Sequence, residues 1–156
     1  MGSIFSRPLL SSFTAVGLLT LGACDYFASD ESRIQKATQL RAQGDYRAAV
    51  IQLKKVLESH PDNRDARLLL GDMSLLIGEA AAAEKELRRA RELGIPRDSI
   101  VIPLGRALLA QREFDRALQE LDPNGIDSAE ARIGVLKLRG DVYLALGKLD
   151  DAEKWY

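Results

Sequence analysis

The sequence predicts an all-α solenoid of stacked helical hairpins behind an N-terminal targeting segment, and three observations predict it. The chain repeats itself: Gly44 and Gly78, Gly71 and Gly105, Ala49, Ala83 and Ala117, and Leu53, Leu87 and Leu121 all recur at 34 residues in one register. Glycines open the motifs GDY at Gly44, GEA at Gly78 and GKL at Gly147, where the first helix of a hairpin must end in a left-handed residue, while Pro61 and Pro96 fall between hairpins. Finally, 46% hydrophobic and 29% charged residues is the composition of a folded domain rather than a disordered chain.

Residues 1–23 read as a signal peptide. Arg7 is the only charge before an uncharged run from Leu9 to Cys24, and no acid precedes Asp25. The run is too short, and too rich in Ser11, Ser12 and Thr14, for a span of about 20 apolar residues. Leu21-Gly22-Ala23-Cys24 resembles the bacterial lipobox. That resemblance implies cleavage before Cys24, lipid attachment at its thiol and amine, and a lipidated tether over 24–30. The competing reading is a buried apolar cysteine behind an ordinary signal peptide; the lipobox is preferred because the single cysteine falls where that signal requires it. Each buried methylene adds about 0.8 kcal/mol, so two or three acyl chains hold a protein on a bilayer. Asp25 resembles the signal that retains enterobacterial lipoproteins, which implies a periplasm-facing protein at the inner rather than the outer membrane.

The solenoid occupies 31–156, about three and a half repeats: 30–63, 64–97, 98–132 and a truncated 133–156. A two-helix unit of 34 residues resembles the tetratricopeptide repeat, TPR, which wants Leu-Gly at positions 7 and 8, Ala at 20, a large residue at 24 and Ala at 27. Leu70-Gly71, Ala83, Leu87 and Ala90 fill those slots in the second repeat, and Leu104-Gly105, Ala117 and Leu121 in the third. The first repeat is degenerate at its start, with Ala37 at position 8; the fourth has Gly140, Ala152 and Tyr156, one residue out of register. Helices are predicted over 31–43, 46–59, 63–77, 80–93, 98–111, 114–121, 128–146 and 149–156. Pro103 is expected to kink the fifth or move its start, and Pro123-Asn124-Gly125 to cut the sixth to about two turns. Because Tyr156 falls inside the last helix, Val142, Tyr143, Leu149, Trp155 and Tyr156 are expected to be poorly covered. This points to a fragment of a longer protein or a self-associating end.

The residue inventory argues against catalysis. With 22 basic and 23 acidic residues the net charge is −1, so no basic field favours nucleic acid. One cysteine and one histidine, His60, leave no material for a zinc cage, and His60 reads as a solvated loop residue. No metal, cofactor or catalytic site is expected. The arginines between Lys85 and Gly94 are interleaved with Glu86 and Glu92 and read as a solvated face. In TPR arrays the first helix of each hairpin lines the concave surface. The corresponding slots hold Leu68, Asp72 and Leu75, then Ile102, Arg106 and Leu109, then Lys137, Asp141 and Leu144, an aliphatic groove with a charged line in which Arg106 could pair with Asp72 and Asp141. The carboxylate clamp of chaperone-binding TPR domains is missing, since its slots hold Ile34 and Thr38.

Beyond the repeat, AAVIQLKKVLESHPDNRDARLLLGD, AAAEKELRRARELGIPRDSI and PLGRALLAQREFDRALQEL resemble the N-terminal repeats of the TPR lipoprotein found beside PEP-CTERM/exosortase systems and exopolysaccharide clusters. The resemblance implies a non-enzymatic envelope scaffold with protein or peptide partners, tied to the membrane by its N-terminal lipid. The alternative is an outer-membrane assembly or pilus-biogenesis TPR lipoprotein.

Overall fold

The computed structural model describes residues 29–156; the signal peptide, Cys24 and Asp25 lie outside the described residues. Eight helices follow one another: α1 Asp30–Ala42, α2 Tyr46–Ser59, α3 Arg64–Leu76, α4 Ala80–Glu92, α5 Arg97–Ala110, α6 Phe114–Glu120, α7 Ala129–Ala145 and α8 Leu149–Glu153. The first seven agree with the sequence expectation to within one residue at either end, and α8 stops three residues short of it.

Side chains cap four of the helices. Ser29, Asp45, Asn63 and Ser128 each accept a backbone N–H three residues on, at 3.2, 3.1, 3.0 and 3.2 Å. The turn inside each hairpin needs one left-handed residue, and Gly44, Gly78 and Gly147 supply it at φ of 79°, 82° and 73°. In the third hairpin the same slot holds Arg112 at φ 61°, its guanidinium 5.7 Å from the Phe114 ring. An arginine carries no glycine signal, so the sequence pattern is silent at this turn.

Close packing sets the hairpin geometry. A Cβ on Gly71 would lie 2.6 Å from Leu87 Cγ, one on Gly105 2.6 Å from Leu121 Cδ2, and one on Gly140 2.7 Å from the Tyr156 ring. Position 8 is therefore pressed against the large residue at position 24. Ala49, Ala83 and Ala117 are fully buried beside this contact. Leu53, Leu87 and Leu121 are fully buried too, each contributing about 1.5–3 kcal/mol. One apolar cluster joins α1, α2 and α3 around Leu53, Val56, Leu70 and Met73; a second runs from α4 to α7 around Leu87, Leu104, Leu108, Leu121 and Val135. Successive first helices touch directly, α3 against α5 and α5 against α7. The second helices α4 and α6 are instead bridged by long charged arms, Arg91 to Glu120 and Arg116 to Glu84. Tight contact on one side and long arms on the other give the array its inner and outer faces.

One expectation changes, that of Val142, and two gain detail. Pro103 does not move the start of α5, which runs unbroken from Arg97 to Ala110, so the Ser99 carbonyl loses the donor a non-proline residue would have supplied. Val142 is not exposed; it is fully buried in the second cluster, while Leu149 and Tyr156 are 67% and 63% exposed. His60 is exposed but has a partner, its Nδ1 lying 2.6 Å from Asp30 Oδ2.

The short sixth helix holds only seven residues, as its proline predicts. Its free carbonyls are met from outside. Arg97 donates to the carbonyls of Glu120 (3.1 Å), Asp122 (2.9 Å) and Asn124, and Arg139 to those of Leu118 (2.9 Å) and Leu121 (3.1 Å). Two cations at a helix C-terminus also complement its dipole. Arg139 further lies 4.3 Å over the ring of Trp155, which stacks on Tyr143.

Candidate peptide-binding groove

The inner faces of α1, α3 and α5 enclose an open cleft of about 470 Å³, lined by Arg41, Asp72, Leu75, Leu76, Ser99, Pro103, Arg106 and Ala110. Helical spacing explains the lining: Asp72, Leu75 and Leu76 lie on one face of α3, and Ser99, Pro103, Arg106 and Ala110 on one face of α5. Leu76 is 51% exposed, an aliphatic side chain left open at the rim.

Asp72 is the polar centre. Burial raises its carboxyl above the ordinary aspartate range, and the nearby charges of Arg41 and Arg106 pull it down less strongly than burial pushes it up. The expected pairing of Arg106 with Asp72 and Asp141 is not made. Among the described residues neither Arg106 nor Arg41 forms a side-chain hydrogen bond or a direct ion pair, and Asp141 instead accepts the Tyr156 hydroxyl at 2.6 Å. Two arginines and one carboxylate give the lining of this cleft a formal charge of +1.

Of the residues read from the sequence as groove-lining, the cleft gathers Asp72, Leu75 and Arg106. Ile102 lines a neighbouring hollow between α5 and α7 with Asp98, Ser128 and Glu130. Leu68 and Leu109 pack against the second apolar cluster. Lys137, Asp141 and Leu144 are exposed on α7 and line neither concavity. Arg41 was missed, although it occupies position 12 of the first repeat, the slot that holds Leu75 in the second. Where chaperone-binding domains carry their clamp, the Thr38 hydroxyl donates back to the Ile34 carbonyl at 3.0 Å.

Among the described residues no group of His, Cys, Asp or Glu side chains is placed to hold a metal ion, and no helix is long and apolar enough to cross a membrane. The cleft offers shape, aliphatic contact and charge.

A tetratricopeptide-repeat family model matches residues 34–97. Solved structures extend the likeness across the hairpin stack. MamA is 23% identical at a TM-score of 0.67, with 81% of this chain covering 74% of that one. A thermophilic TPR protein of Thermus thermophilus is 21% identical at 0.64, covering 81% and 71%. PilF of Pseudomonas aeruginosa is 24% identical at 0.67, covering 81% of this chain and 57% of that one. No curated protein matches the chain. The described residues form a TPR solenoid, the first two repeats recognisable by sequence and the remainder by fold.

Proposed function

We propose that this chain is a non-enzymatic protein-binding scaffold, anchored by lipid at Cys24 on the periplasmic side of the inner membrane, serving a PEP-CTERM/exosortase sorting or exopolysaccharide export system. The observation that carries the binding role is the α1–α3–α5 cleft, where Arg41 and Arg106 make no direct contact with a described carboxylate beside exposed aliphatic surface. Such groups can pair with an acidic group that a partner brings. The Leu21-Gly22-Ala23-Cys24 motif supports the anchor, and the AAVIQLKK segment with Pro103 supports the system.

The test is capture of envelope partners by wild type, Arg106→Glu and an outer-face control, Lys85→Glu, each checked for helicity by circular dichroism. Arg106→Glu should lose the partners with its helicity intact. Loss in Lys85→Glu alone would place the working surface on the outer face. In parallel, Cys24→Ser should take up no palmitate analogue; equal labelling would remove the anchor.

A further inference from the structure

Resting on the groove reading above, the charge balance of the cleft narrows what it takes. Arg41 comes from the end of α1, Asp72 from the middle of α3 and Arg106 from α5, so three hairpins contribute one charge each to a single concavity. Several other arginines among the described residues face a carboxylate directly. Arg67 is held by Glu86, Arg88 and Arg116 by Glu84, Arg89 by Asp62 and Glu92, and Arg91 by Glu120. In the cleft two guanidinium groups share one carboxylate with no direct bond to it. That carboxylate is half-buried on α3.

The apolar lining is ordered around this centre. Leu75 and Leu76 lie on the α3 side, Pro103 and Ala110 on the α5 side. Pro103 also leaves the Ser99 carbonyl without its helical donor, and Ser99 lines the same cleft.

We propose that the cleft is selective for an acidic protein segment, a Glu or Asp side chain set between Arg41 and Arg106 with apolar neighbours lying on Leu75, Leu76, Pro103 and Ala110. Asp72 is a positioning residue: its charge draws both guanidinium groups toward the cleft, and it repels a second carboxylate that comes too deep. One added carboxylate brings the local charge from +1 to neutral. A lysine in the same place would face two arginines.

The experiment uses the full chain in detergent and three fluorescent nine-residue peptides, Leu-Ala-Pro-Leu-X-Leu-Ala-Pro-Leu, with X as Glu, Gln or Lys. Fluorescence anisotropy should rank them Glu, Gln, Lys, with at least a tenfold gap between Glu and Lys at low salt that narrows as salt is added. Arg41→Gln and Arg106→Gln should each erase that gap while still holding the Gln peptide. Equal binding of all three peptides, a preference for Lys, or no binding of the Glu peptide would overturn the acidic selectivity. Leu76→Glu, tested by capture of envelope partners, separates the two claims. If that variant loses its partners while the peptides are not ranked, the groove stands and its chemistry is wrong; if it keeps them, the groove reading falls as well.

Discussion

At Asp72, burial outweighs the attraction of Arg41 and Arg106, and the sign of the consequence follows from linkage. A carboxyl whose pKa is higher folded than unfolded binds its proton more tightly in the fold. Its stabilising contribution is complete below the unfolded value of about 3.8 and is lost as pH rises through the folded one. Asp72→Asn is therefore expected to melt above wild type at pH 7 and level with it near pH 3, measured by thermal scans across that range. Glu84 has the opposite sign. Burial alone would raise it, but hydrogen bonds from Gln111 (2.8 Å), Arg88 (2.9 Å) and Arg116 outweigh that and hold it below the usual carboxylate range, so its contribution is lost on acidification. One carboxylate serves the fold, and the other is kept at the fold's expense. A second residue-scale expectation concerns Gly71. Alanine is worth about 1 kcal/mol more than glycine inside a helix, yet its Cβ would meet the Leu87 branch carbon, and overpacking costs about 1–3 kcal/mol. Gly71→Ala should lower the urea midpoint in wild type and raise it in a Leu87→Ala background, a coupling that additive effects cannot produce.

At the scale of elements, α6 depends most on groups outside itself. Seven residues are too few for a stable helix in water, and its last carbonyls are met by Arg97 and Arg139 from α5 and α7. Arg97→Met keeps the aliphatic stem and removes the donors, and should cost about 2 kcal/mol. Hydrogen exchange should quicken first in α6 and the loop after it, while α1 to α3 keep their protection; uniform quickening would mean that α6 is not a separate weak point. The element boundaries were legible where glycine and proline set them: Gly44, Gly78 and Gly147 end helices and Pro123 cuts α6, while the caps at Asp45, Asn63 and Ser128 are seen only in the structure. The α6 caps were not legible, because Arg97 and Arg139 lie on other helices, 23 and 21 residues from the Glu120 and Leu118 carbonyls they meet, and the repeat pattern requires neither. The continuity of α5 through Pro103 agrees with the helix read over 98–111, since its apolar face, with Ile100, Val101, Leu104 and Leu108 buried, outweighs one lost backbone bond.

For the whole molecule, a 34-residue period places the first helix of every hairpin on the inside, so a groove was readable before any geometry. Its working centre was only half readable. Asp72 and Arg106 follow from position 9 in neighbouring repeats, whereas Arg41 sits in a repeat whose start departs from the pattern. Lys137, Asp141 and Leu144 hold the right slots but lie on α7, beyond the cleft. The account stands on the inner face of α1, α3 and α5 being the surface that meets a partner. Site-specific photocrosslinking in living cells tests this most directly, with benzoylphenylalanine at Leu76 on the rim of the cleft or at Ile51, which is 55% exposed on α2. The account predicts a discrete adduct from position 76 that disappears in Arg106→Glu, and none from position 51. An adduct from position 51 with none from position 76 would contradict it.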